Sequence, residues 1–241
     1  MKKIGIITQA RLGSSRLPGK IFKKIGDKTL LDFHIDRLKK TEFNVYVATT
    51  VEPLDDQVEN FCNQIGVPCF RGSETNVLSR FLKVIESEKL DIVVRVTSDC
   101  PLIDPNLISN GISIYLKNDN DRVYMANTIE RSYARGFDFE IFSANLLRES
   151  NQKDQSLRNQ EHVTPYLYSG VDPTVVMHSL HQSEDHSFLR VTVDEPSDFI
   201  LIEKLITEYS AEKLSAAEIE KILIENPRLQ LINKNIVQKK I

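Results

Sequence analysis

Residues Ile4-Gly-Ile-Ile-Thr-Gln-Ala-Arg-Leu-Gly-Ser-Ser-Arg-Leu-Pro-Gly-Lys20 join a short apolar run to a basic loop. Ile4 to Thr8 has the β-branched, apolar character of a buried strand, and Gln9 to Lys20 leaves its carboxyl end. That loop carries Arg11, Arg16 and Lys20, with Gly13 and Gly19 to let backbone N–H groups approach a ligand. Ser14 and Ser15 add hydroxyl donors. Charge-assisted bonds from Arg and Lys to phosphate oxygens are among the stronger polar contacts, so the segment reads as an anion grip. It is not a Walker A loop, which needs four residues between its glycines and Ser or Thr after the Lys; here five residues intervene and Ile21 follows Lys20. No G-x-G-x-x-G occurs, which disfavours a dinucleotide fold.

Working outward, apolar runs at Asn44–Thr50, Pro68–Arg71 and Ile92–Thr97 predict further strands. Lys28–Lys40, Asp55–Ile65 and Asn76–Lys89 carry apolar residues at helical spacing. This alternation predicts an α/β fold with a parallel sheet covered on both faces, where ligands bind beyond the carboxyl ends of the strands. Further on, the pattern predicts a helix over Pro105–Leu116 and a strand over Val123–Ala126. Gly136–Phe142 alternates Phe137, Phe139 and Ile141 with Asp138 and Glu140, which predicts a strand with one buried and one polar face. Strands are also expected at Thr174–Leu180 and Leu189–Val193, and helices at Pro196–Tyr209 and Ser215–Glu225. With no repeat or long linker, residues 1–241 read as a single domain with a less regular stretch around 128–188, the expected place for sugar binding and dimerisation.

Length and an apolar fraction of 41% suffice for one substantial core. A net charge of -3 gives no global basic field, so nucleic acid is not an expected partner and any anion site must be local. Three cysteines without a C-x-x-C pair argue against a disulfide framework or structural zinc. No apolar run is long enough for a signal or a membrane span, and a soluble, cytoplasmic protein is expected.

Two aspartates follow strand-like runs. Asp99 stands in Val96-Thr-Ser-Asp-Cys-Pro-Leu-Ile103, and Asp194 in Leu189-Arg-Val-Thr-Val-Asp-Glu-Pro196. Two carboxylates facing a basic loop across a triphosphate would suit Mg2+, which takes one or two carboxylates plus phosphate and water oxygens. Equally, Asp99 could shape the turn before Pro101, and Asp194 could cap the following helix.

Ala10-Arg-Leu-Gly-Ser-Ser-Arg-Leu-Pro-Gly-Lys20 closely resembles the triphosphate loop of the sugar-acid cytidylyltransferases, nearest the deoxy-octulosonate and spore-coat polysaccharide branches. The resemblance extends from Ile4 to about Ile202. It implies a Rossmann-like mixed, mostly parallel sheet flanked by helices, of the nucleotide-diphospho-sugar transferase type. It also implies magnesium-dependent transfer of CMP from CTP to a sugar or sugar acid for surface polysaccharide, with release of pyrophosphate. Arg11, Arg16, Lys20 and Asp99 would be catalytic, and Asp99 and Asp194 would hold the metal. Ala10, Gly13, Ser14 and Ser15 would line the nucleotide. Arg71, Gly72 and Ser73 match the segment beside the nucleoside, although a plain helix cap explains them as well, and Arg80 is a weaker candidate one turn on. Asp138 and Glu140, with Arg158, Glu161 and His162, match segments near the sugar; an exposed ion pair with a capping His is the competing reading. Relatives are often homodimers. One departure is that Cys100 stands where the octulosonate branch has Glu.

Two rivals remain at this level. A glycosyltransferase of the GT-A type would need a metal-binding D-x-D, and Asp119-Asn120-Asp121 falls in a polar turn. A non-catalytic nucleotide-binding relative could keep the fold. His178, His181 and His186 make no metal site, lying on opposite strand faces or in a polar loop.

Overall fold

The computed structural model describes residues 2–14 and 16–237. Its centre is a seven-stranded sheet in the order β5-β4-β1-β6-β8-β7-β9. The strands are β1 (Ile4–Gln9), β4 (Asn44–Thr50), β5 (Cys69–Gly72), β6 (Ile92–Thr97), β7 (Val123–Ala126), β8 (Glu140–Ser143) and β9 (Val176–Ser179). All run in one direction except β8, which is antiparallel to both β6 and β7. A small hairpin, β2 (Lys24–Ile25) with β3 (Lys28–Thr29), precedes the first helix.

Successive strand residues go to opposite faces, and each face has its own helices. Ile6, Val45, Val47 and Val94 pack with α1 (Leu30–Leu38), α2 (Asp56–Gln64) and α4 (Pro105–Leu116). Ile7, Tyr46, Ala48 and Val93 pack with α3 (Val77–Glu88), α5 (Ala144–Lys153) and α7 (Pro165–Tyr168). The short α6 (Leu157–His162) lies against α3. Each fully buried Ile, Val or Leu contributes roughly 1.5–3 kcal/mol, which is why the near-continuous apolar runs had to become interior strands.

A third cluster joins α8 (Pro196–Tyr209), α9 (Ala216–Glu225) and α10 (Pro227–Gln230) to Leu17, Phe33, Phe137, Leu189, Val191 and Val193. Here two expectations need correction. Leu189–Val193 is extended but does not join the sheet: Val191 N donates to Arg135 O and Val193 N to Asp99 O. Its apolar alternation is real because Leu189, Val191 and Val193 all enter this third core. The stretch Gly136–Phe142 becomes a strand only from Glu140, and it is interior on both faces, with Ile141 in one core and Phe142 in the other. Its polar residues meet arginines: Asp138 pairs with Arg131, and Glu140 sits opposite Arg95 on β6 and pairs with it at 2.8 Å.

Candidate active site

Gln9 and Thr97 end neighbouring parallel strands in register, so the loops leaving β1 and β6 rise side by side. β1 has β4 on one flank and β6 on the other, which makes this the switch point where open α/β sheets bind ligands. The β1 loop is held from below. Leu12 and Leu17 are buried, in the first and third cores, and Leu12 N donates to Asp55 Oδ1 at 2.8 Å. Asp55, itself buried, also accepts the Thr50 hydroxyl. Gly19 takes the left-handed conformation (φ 64°) that turns the chain into a short 3-10 turn at Lys20.

A cleft of about 660 Å³ opens between these loops. Lys20 lies at its floor, with Nζ 2.9 Å from Asp99 Oδ2 and 2.8 Å from Asp194 Oδ1. Arg16 Nη2 is 3.2 Å from the same Asp194 oxygen, and Thr97 Oγ1 donates to Asp99 Oδ1 at 2.6 Å. Burial by itself would raise the Asp99 carboxyl, but the Lys20 ammonium and the Thr97 hydroxyl outweigh it and hold the group at about 2. Burial likewise works against the Lys20 ammonium, and the two aspartates reverse this and raise its pKa. The two carboxylates converge on one cationic point, the Lys20 ammonium. Together they form an oxygen-only pair of the kind magnesium uses alongside phosphate. Among the described residues no group of three or more His, Cys, Asp or Glu could hold a metal ion.

Ala10, Arg11, Gly13 and Ser14 complete the loop side of the cleft. Ser15 lies outside the described residues. On the α3 side the lining differs from the expected one. Arg71 turns away, its guanidinium held by Asp56 (2.7 Å), Glu59 (3.0 Å) and the Thr50 carbonyl. Ser73 accepts from Asn76 N ahead of α3. Glu74, Thr75, Val77 and Arg80 form the wall instead. Arg80 is only 2% exposed, and its Nε and Nη1 have no partner among the described residues. Burial first, and the neighbouring Arg11 second, lower its pKa to about 10. A buried guanidinium beside another cation, with two enclosed donors unmet, is a costly group to keep in the wall of a cleft.

Gly72 touches no ligand space but makes room for this arginine, since a Cβ there would lie 2.9 Å from Arg80 Cγ. Gly72→Ala is expected to displace the Arg80 stem and raise the nucleotide KM about tenfold with little change in kcat. A KM within twofold of wild type would show that Arg80 does not depend on this gap.

At the far end, Glu161 and His162 line the cleft, joined by Leu157. Burial lowers the His162 pKa, so its imidazole is neutral. Arg158 is exposed and outside the lining. Asp138 forms a two-pronged pair with Arg131 (2.6 and 2.7 Å), and Glu140 pairs with Arg95, which also donates to Gln9 Oε1 at 3.1 Å. Both carboxylates are therefore already engaged. Cys100, the one noted departure from the resembling motif, is buried beneath the turn, with its thiol pushed up by burial.

The residue hardest to find in sequence is His34, embedded in the apolar run of α1. It is fully buried, with Nδ1 2.8 Å from Cys100 O and Nε2 2.9 Å from Thr8 Oγ1. Nδ1–H must donate to the carbonyl, so Nε2 accepts from the Thr8 hydroxyl. This ties the turn carrying Asp99 to the base of β1. Burial lowers the His34 pKa from 6.5 to about 4. Between those values the unfolded chain binds the proton and the folded one does not, so stability falls as pH drops from 6.5 toward 4. The loss from this group approaches about 3 kcal/mol. Chemical denaturation between pH 7 and pH 4.5 should show a steeper decline for wild type than for His34→Gln; parallel curves would remove His34 as the cause.

Known proteins resemble this chain in both sequence and fold. The sequence model of the cytidylyltransferase family matches residues 5–234. The spore coat polysaccharide biosynthesis protein SpsF of Bacillus subtilis is 33% identical over 94% of this chain and 96% of its own length. A solved cytidylyltransferase from Leptospira borgpetersenii superposes with a TM-score of 0.91 at 33% identity, covering 100% of both chains. A CMP:2-keto-3-deoxy-manno-octonic acid synthetase solved with CTP shares the fold at a TM-score of 0.64 and 17% identity, over 86% of this chain and 99% of its own. No helix among the described residues is long and apolar enough to cross a membrane. With a match running through nearly the whole sheet and both loops of the cleft, the chain belongs to the cytidylyltransferase family.

Proposed function

We propose that this protein transfers CMP from CTP to a sugar or sugar acid and releases pyrophosphate, in the assembly of a surface polysaccharide. The observation that carries the reading is the meeting of Lys20, Arg16, Asp99 and Asp194 in one cleft at the carboxyl ends of parallel strands. CTP as the nucleotide is supported by family membership and by the octonic acid synthetase that was solved with it; polysaccharide is supported by the name of the Bacillus relative.

In this mechanism the sugar hydroxyl attacks the α-phosphorus in line and loses its proton to water, while the bond to the β-phosphate oxygen breaks and pyrophosphate leaves. Arg11, Arg16 and Lys20 bind the β- and γ-phosphates and neutralise the charge that grows on the leaving pyrophosphate. Asp99 and Asp194 would hold magnesium, which when bound would supply Lewis-acid polarisation of the α-phosphate and acidify the attacking hydroxyl. Arg80, in the cleft wall beside Arg11, adds its positive charge to the pull on the nucleotide's phosphates. Glu161 and His162 take the acceptor's hydroxyls. Because positioning and charge do most of the chemistry, no protein nucleophile is needed. A cytoplasmic homodimer is part of the same proposal.

Incubating the protein with each of the four nucleoside triphosphates, magnesium and a panel of sugars and sugar acids, while measuring pyrophosphate, tests it. Release with CTP and one acceptor class is expected. No release with any triphosphate, or cleavage of a nucleotide-sugar instead, would overturn the transferase reading.

A further inference from the structure

Behind the cleft, one buried carboxylate collects five hydrogen bonds. Asp198, the third residue of α8, is 0% exposed. Its Oδ2 accepts from the backbone N–H groups of Asp194 (2.9 Å) and Glu195 (3.1 Å) and from Arg190 Nη2 (3.0 Å). Its Oδ1 accepts from Arg190 Nε (2.9 Å) and Asn233 Nδ2 (2.8 Å). The same Arg190 Nη2 reaches Asp194 Oδ2 at 2.9 Å, so one guanidinium spans the buried carboxylate and the site carboxylate. Asn233, from the segment after α10, also donates to the Arg190 carbonyl at 3.1 Å.

A helix start needs only one or two such bonds. Burying Asp198 and Arg190 together carries a desolvation cost that an apolar pair would avoid, so stability alone is a poor account of them. What the arrangement does accomplish is directional. Backbone and side chain of Asp194 are both fixed from behind: Oδ2 is taken by Arg190, which leaves Oδ1 as the oxygen aimed at Lys20 and Arg16. We propose that Asp198, Arg190 and Asn233 are positioning residues that aim Oδ1 of Asp194 into the cleft, and that the C-terminal segment is thereby the outer support of the active site. This rests on Asp194 belonging to that site, as proposed above.

Asp198→Asn places an amide N–H₂ against donors, and Arg190→Lys offers a point charge that cannot span two carboxylates. Each is expected to lower kcat for pyrophosphate release about 10–100-fold while the CTP KM stays within threefold, as happens when outer support of a ligand is lost. Manganese binding in the presence of CTP, followed by electron paramagnetic resonance, should weaken about tenfold in both. Asn233→Ala, milder and near the chain end, should lower kcat about three- to tenfold, and it decides the matter together with Arg190→Lys if Asp198→Asn does not fold. Lys204→Ala, on the exposed side of α8, should leave kcat unchanged. Wild-type kcat and manganese affinity in the folded variants, with only a lower unfolding temperature, would overturn the proposal. Asp194→Asn keeps the two levels apart: full activity there defeats the site assignment itself, whereas inactivity there with normal Asp198 and Arg190 variants defeats only the positioning role.

Discussion

Lys20→Ala is expected to lower kcat/KM for pyrophosphate release by about 10³-fold or more while the chain remains folded. Two losses combine. A preorganised donor to a developing anion is commonly worth 10²–10³ in rate. Lys20 is also the shared counter-ion of Asp99 and Asp194; without it Arg16 and Arg190 still pair with Asp194, but Asp99 loses its ion-pair partner. The Asp99 carboxyl, which Lys20 helps to hold at about 2, then rises, and the incoming phosphates meet a more negative cleft. Folding should survive because Lys20 belongs to none of the three apolar cores. Steady-state pyrophosphate release and far-UV circular dichroism measure both halves. A loss of less than tenfold in a folded protein would remove Lys20 from the machinery.

Much of the sheet was legible because parallel strands buried on both faces must be near-continuous apolar runs, as at Val45–Thr50 and Ile92–Val96. Period-2 alternation misled in two places for one physical reason: it reports that a chain is extended and half-polar, not what its polar half meets. At Gly136–Phe142 the polar half meets Arg131 and Arg95 inside the protein, and at Leu189–Val193 it meets Asp99, Asp194 and Asp198. The site was legible as motifs at strand ends. Its central contact was not, since Lys20 reaches partners 79 and 174 residues away. Arg71 was expected beside the nucleoside by resemblance, whereas Asp56 and Glu59 on the adjacent helix engage its guanidinium. Arg80 was underweighted because a cation within an amphipathic helix reads as solvated; only the packing reveals that its donors are buried and unmet.

The same packing bears on the glycosyltransferase alternative. Asp121 pairs with Lys2 ahead of β1, and its carbonyl accepts from Ser143 at the end of β8 opposite Ile92. Asp119-Asn120-Asp121 therefore lies at the amino end of the sheet, away from the cleft that opens beyond Gln9 and Thr97. A metal held there could not serve a phosphate gripped by the β1 loop. Asp99 and Asp194, by contrast, line that cleft and meet at Lys20 of the β1 loop.

Asp99→Asn tests that remaining pair with the least disturbance of shape. The amide keeps an oxygen for the Thr97 hydroxyl and removes the charge beside Lys20. A reduction in kcat of about 10³-fold is expected, because a neutral amide is a poor magnesium ligand and the α-phosphate loses its polarising partner. Activity of the wild type should rise with added magnesium and vanish with a chelator, and the variant should show little response to either. The double variant Lys20→Met with Asp99→Asn sharpens the test. If both residues act on one phosphate-and-metal cluster, their losses overlap, and the pair should be about 10³- to 10⁴-fold slower than wild type, far from the product of the single effects. A fully multiplicative loss would mean that Lys20 and Asp99 act at separate points of the reaction, and the 2.9 Å contact between them would then have no part in it.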